Sequence, residues 1–107
     1  MTDEEAFKKF ERDCLLRNLR PATIKYYRHE LAATKNCLLE IGIDKEVVEL
    51  DQEDIESLIL FLKDKIKVVS INTRLRAIKS FFNYLEKNKL LYSKNPTRNI
   101  RQLRDRQ

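Results

Sequence analysis

Between Ser70 and Asn83 the chain reads SINTRLRAIKSFFN, and its charged side chains, Arg74, Arg76 and Lys79, all carry one sign. Stepping by about 100° per residue along a helix puts Asn72, Thr73, Arg76, Lys79, Ser80 and Asn83 on one arc, with Ile71, Leu75, Ile78, Phe82 and Leu85 on the opposite stripe. Arginine and lysine pair with phosphates, while asparagine, serine and threonine reach phosphate oxygens or base edges, and no carboxylate on the arc cancels the field. A solvated face ordinarily mixes signs; this one does not. Residues 20–36 repeat the design more weakly, with Arg20 and Thr23 at the start and Lys25, Tyr26, His29, Ala33 and Asn36 facing outward. The small Ala33 would let a backbone come close. The chemistry open to these two arcs is the binding of a polyanion.

Covalent chemistry is poorly served. His29 is the only histidine, no serine or cysteine has a base within a local motif, and no glycine-rich phosphate loop is present. Three of the four tyrosines read as packing residues: Tyr27 and Tyr84 in the core, and Tyr92 closing it after the last helix. Cys14 and Cys37 form no CxxC pair and have no histidine at ligand spacing, which points to two free thiols on half-buried helix positions. No metal and no cofactor is expected.

Four helices must position the arcs. The first is expected over Asp3–Asn18, capped by Thr2 or Asp3, with acids in its first turn and a stripe of Phe7, Phe10, Cys14 and Leu15. A second starts at Pro21, where the missing N–H costs nothing, and stops near Gly42; its inner stripe is Ile24, Tyr27, Leu31 and Leu38. Asp51 caps a third, with Asp54 in an acidic capping box, that buries Ile55, Leu58, Ile59 and Leu62 and ends around Lys65 to Lys67. Ser70 is the expected cap of the fourth, which runs to about Asn88. Pro96 forces Asn95 into an extended conformation, and a basic tail, TRNIRQLRDRQ, follows with only Ile100 and Leu103 as apolar anchors. No stretch alternates with period two, so no sheet is expected.

Length and charge agree with this plan. The 107 residues, 42% of them hydrophobic with one glycine and two prolines, suit one domain. The net charge of +5 is unevenly spread: residues 1–66 hold 11 basic and 15 acidic side chains, a net of −4, whereas residues 67–107 hold 11 basic side chains against Glu86 and Asp105, a net of +9. A field so placed suits a polyanionic partner. No apolar run approaches the roughly 20 residues of a membrane span, and the first residues are charged rather than signal-like, so a soluble, intracellular chain with no membrane partner is expected.

Taken together, LRNLRPATIKYYRHEL and, some fifty residues on, SINTRLRAIKSFFNYLEKNKLLYSKNPTRNI resemble the core-binding domain of tyrosine recombinases, the phage-integrase group. Thr23 and Tyr27 fall on that family's second-helix signature, Ser70, Asn72, Arg74 and Leu75 on its fourth-helix one, Phe81 and Phe82 on its aromatic pair, and Asn95 with Pro96 on its exit. Arg20 stands where the family usually has a capping serine. The resemblance implies an all-α, four-helix, SAM-like orthogonal bundle over residues 1–95, then a basic linker over 96–107 toward a catalytic domain that lies outside this chain. It implies half of a clamp on double-stranded DNA at a core-type recombination site, in a cytoplasmic protein of bacterial or phage origin, with other recombinase protomers as partners on DNA and a monomeric isolated domain. The arcs, the basic tail and the resemblance together give Arg20, Thr23, Lys25, Tyr26, His29, Ser70, Asn72, Thr73, Arg74, Arg76, Lys79, Ser80, Arg98 and Arg101 as the expected DNA-binding residues, with Arg104 and Arg106 following the backbone. The alternative is a helical protein–protein interaction or oligomerisation module, in which the acidic 44–56 region meets a basic partner.

Overall fold

Helices α1 (Asp3–Leu16), α2 (Pro21–Glu40), α3 (Gln52–Lys63) and α4 (Val68–Lys87) follow one another, with a short 3-10 turn at Val47–Glu49 before α3, in a computed structural model that describes residues 1–105. No strand occurs among the described residues, as the lack of period-two alternation requires. Two starts are built from side chains. Thr2 Oγ1 accepts from the Glu5 amide at 3.2 Å, and acids Asp3, Glu4 and Glu5 fill the positive end of α1. At α3 the capping box is complete: Asp51 accepts from the Asp54 amide at 2.8 Å and Asp54 from the Asp51 amide at 3.1 Å.

The stops share one geometry. Asn18 (φ 58°), Gly42 (φ 81°) and Lys89 (φ 57°) take the left-handed conformation just beyond α1, α2 and α4. In each case the next residue's amide reaches back five positions: Leu19 to the Cys14 carbonyl, Ile43 to Leu38 and Leu90 to Leu85, at 3.0, 2.9 and 2.8 Å. These are Schellman motifs, and Leu19, Ile43 and Leu90 also pack on the core, as the motif's apolar contact requires.

Helix α4 is the spine. It packs on α1, α2 and α3 and buries Ile71, Leu75, Ala77, Ile78, Phe81, Phe82 and Leu85, a wider sector than the single expected stripe. Phe81 accounts for the width: its ring meets Phe7 at 5.1 Å, Phe10 at 5.5 Å and Phe82 at 5.4 Å, all three contacts edge-on. Asp3, the first residue of α1, is buried, and its carboxylate accepts from the Val47 and Val48 amides at 2.8 and 3.1 Å while its own amide donates to Glu46 at 3.2 Å. Each helix start thus receives a carboxylate from the other. Burial pushes the Asp3 carboxyl up from its ordinary value, and the two amides only partly oppose that.

Several expectations are corrected. Leu15, expected inside, is 66% exposed, because Ala6, Phe10 and Cys14 complete the buried stripe of α1. Ser70 does not cap α4: the helix begins two residues earlier at Val68, with Lys67 as a cap that makes no side-chain hydrogen bond. α3 stops at Lys63 and α1 at Leu16, each slightly short of expectation. Tyr92 is 97% exposed and closes nothing, since Leu90 and Leu91 take the place beside the core. The tail from Pro96, for all its basic character, packs on the bundle through its two apolar anchors. Asn95, Pro96, Thr97 and Ile100 are buried, and Leu103 lies against the bundle.

Candidate nucleic-acid interface

Three struts tie α2 to α4. The Tyr26 hydroxyl donates to the Thr73 carbonyl at 2.5 Å, Tyr27 and Ser80 pair their hydroxyls at 3.4 Å, and Arg74 Nε meets Glu30 Oε1 at 3.0 Å. Above the first two struts lies an open cleft of about 430 Å³ lined by Tyr26, Tyr27, Arg76, Lys79, Ser80 and Asn83. A neighbouring hollow of about 380 Å³ shares Ser80 and Asn83 and extends past Tyr84 to Lys87 and Asn88. Among the described residues the one carboxylate lining the two, Asp13, is occupied by Arg17 at 2.8 Å. The result is a shallow trough along the outward side of α4, polar and basic.

Its cations are free to act. Among the described residues Arg76, Lys79 and Lys87 make no ion pair, although Arg76 donates to Thr73 Oγ1 at 3.2 Å, which steadies its guanidinium. Burial raises the Tyr26 hydroxyl above its ordinary value, an effect that nearby Arg76 partly opposes. Tyr26 therefore stays protonated at neutral pH and keeps donating to Thr73. Lys25 and His29 are exposed one turn apart on α2, Thr23 is half-buried in the first turn, and Arg20 is exposed at the N-cap without a capping hydrogen bond.

Other expected contact residues are engaged within the protein. Arg74 and Glu30 side chains are only 15% and 14% exposed, and a second guanidinium nitrogen of Arg74 lies 3.6 Å from the Cys37 sulfur. The tail also holds Asn72: its amide donates to the Leu103 carbonyl at 3.0 Å and accepts from the Leu103 amide at 2.8 Å. Arg98 is ion-paired with Glu86. Ser70 is exposed in the first turn of α4, and Arg101 and Arg104 are exposed on the tail; Arg106 lies outside the described residues. Sequence reasoning missed the knot that anchors the tail, in which Asn95 Oδ1 accepts from the Thr97 amide and hydroxyl at 2.9 and 2.7 Å and Asn95 Nδ2 donates to Asn83 at 3.1 Å. The sequence Asn-Pro-Thr was its signal, because asparagine side chains close such turns on the backbone two residues on.

The pattern of the family described as phage integrase, N-terminal SAM-like domain, matches residues 7–91. The chain belongs to that family. Neither a curated protein nor a solved structure matches it. For a phage-integrase N-terminal domain the all-α, SAM-like architecture is the expected one, and the matched stretch takes in α2, α4 and the trough between them while stopping short of the Asn95 knot. The matched family is the N-terminal SAM-like domain of phage integrases, not a catalytic domain. Among the described residues no group of three or more His, Cys, Asp or Glu side chains is arranged to hold a metal ion, and no helix is long and apolar enough to cross a membrane.

Proposed function

We propose that this integrase domain binds double-stranded DNA at a core-type recombination site, as the N-terminal half of a clamp completed by a catalytic domain elsewhere in the parent site-specific recombinase. The observation that carries the proposal is the trough beside α4, in which Arg76 and Lys79, without an ion pair among the described residues, stand next to Ser80, Asn83 and the Tyr26 and Tyr27 rings. Phosphates would fall to Arg76, Lys79, Lys87, Lys25 and Arg20, and base edges or groove shape to Ser80, Asn83 and Thr73. Family membership supports the same polymer, since integrases act in DNA recombination. A duplex titration at about 50 and about 200 mM salt tests it. Several phosphate contacts predict an affinity that falls by orders of magnitude over that range, and an affinity indifferent to salt removes the proposal.

The competing reading, a protein-interaction module, draws on Leu15 and Leu16, adjacent and 66% and 75% exposed at the end of α1. It predicts self-association that grows with concentration in the absence of DNA. Sedimentation with and without a duplex separates the two.

A further inference from the structure

Asn72 sits on the outward arc of α4, where an asparagine amide could read an adenine edge, yet both of its hydrogen-bonding ends are turned to the backbone of Leu103. Reading adenine takes the same in-plane pair of one donor and one acceptor. The two engagements exclude each other. We propose that Asn72 is a positioning residue, a clasp that holds the C-terminal strap against α4 so that Arg101 and Arg104 join the trough in gripping one duplex. This rests on the DNA-binding reading above.

The strap is held at three places in succession. Asn95 and Thr97 lock its start through the paired bonds to Asn95 Oδ1; Ile100 is buried in the core; and Leu103 lies against the bundle under the Asn72 clasp. Arg101 and Arg104 stand exposed on either side of that last anchor. Asn72 precedes Arg76 by one helical turn, roughly 6 Å along the axis, so the clasp sets the strap beside the first cation of the trough. Arginines on a free tail must be ordered when they meet phosphate, whereas arginines on a clasped strap are ordered beforehand, and that difference is affinity. Arg98, tied to Glu86, takes no part.

The test is a cycle in the full chain: wild type, Asn72→Ala, the pair Arg101→Ala with Arg104→Ala, and all three together, each titrated with a duplex. Alanine suits a helix and Asn72 is only half-buried, and far-UV circular dichroism checks that every variant is folded. Two hydrogen bonds, worth about 1 kcal/mol each, place the loss from Asn72→Ala on the order of five- to thirtyfold. That loss should vanish once the two arginines are gone. Trypsin, without DNA, should cut after Arg101 and Arg104 faster in Asn72→Ala than in wild type, with the products followed by mass spectrometry. Additive losses mean that Asn72 touches DNA itself and overturn the clasp, as does tighter or unchanged binding by Asn72→Ala, or unchanged cleavage. A wild-type chain that binds no duplex overturns the DNA reading instead, and the trypsin comparison still decides whether the clasp exists.

Discussion

Arg74 and Arg76 are two positions apart, about 200° around the helix, and that rotation gives them different work. Arg74 turns toward α2 and neutralises Glu30, whereas Arg76 faces the trough with no carboxylate partner among the described residues. Replacing Arg76 and Lys79 together by alanine should leave the unfolding midpoint nearly unchanged, lower duplex affinity roughly tenfold and flatten its salt dependence by about two phosphate contacts. Replacing Arg74 by alanine should act on stability, because it strands a mostly buried carboxylate. Urea titration should register a loss of about 3 kcal/mol, part of which returns when Glu30 is also made alanine. Loss of duplex binding by a folded Arg74 variant at full stability would contradict this division. The outward phase of Arg76 and Lys79 was legible from helical periodicity alone. The fate of Arg74 was not, since its partner lies 44 residues away and nothing local announces it.

At the scale of helices, the two that carry the trough have the weaker starts. α1 and α3 begin with side-chain caps, but α2 and α4 begin at Arg20 and Lys67, which cap nothing. Arg20→Ser should restore a cap hydrogen bond and raise stability by about 1 kcal/mol, while weakening duplex binding if the arginine holds a phosphate; a gain in stability with no change in affinity would free Arg20 of that role. The left-handed Lys89 offers a second gain. Glycine there should stabilise by about 0.5–1 kcal/mol and lift the thermal midpoint by several degrees, with the helical content unchanged. Helix positions were readable from the sequence wherever the signal was local: Pro21, Gly42, the Asp51–Asp54 box and the apolar stripe of α4. Signals that depend on distant packing were not. Asn18 and Lys89 stop helices without glycine, Lys67 displaces Ser70 as the cap, and the tail's two apolar anchors found their surface on the bundle itself.

Across the whole molecule, the charge that makes the domain basic is separated from the charge that holds it together. Glu11 pairs with Arg28, Asp13 with Arg17, Glu30 with Arg74, Lys45 with Asp54 and Glu86 with Arg98, so most of these bonds draw on cations outside the trough. The Arg28 hydrogen bond is the main influence on Glu11 and holds its carboxyl below the ordinary 4.5. Asp54 is pushed up by burial but pulled further down by Lys45 and the Asp51 amide, to below the ordinary 3.8. Groups lowered on folding contribute stability that is present above their unfolded values and is lost as pH falls through the folded ones. Asp3, raised by burial, works in the opposite sense: its burden is felt above its folded value and relieved on protonation. Urea midpoints should therefore be flat from about pH 7 down to about 5 and then drop toward pH 3, and the double variant Glu11→Gln, Asp54→Asn should show a shallower drop from a lower plateau. An identical acid slope in that variant would mean that the loss comes from general positive self-repulsion rather than from these two carboxylates. Because neither residue lines the trough, duplex affinity at neutral pH should be the same in both proteins, which separates the charges that fold the domain from those proposed to bind.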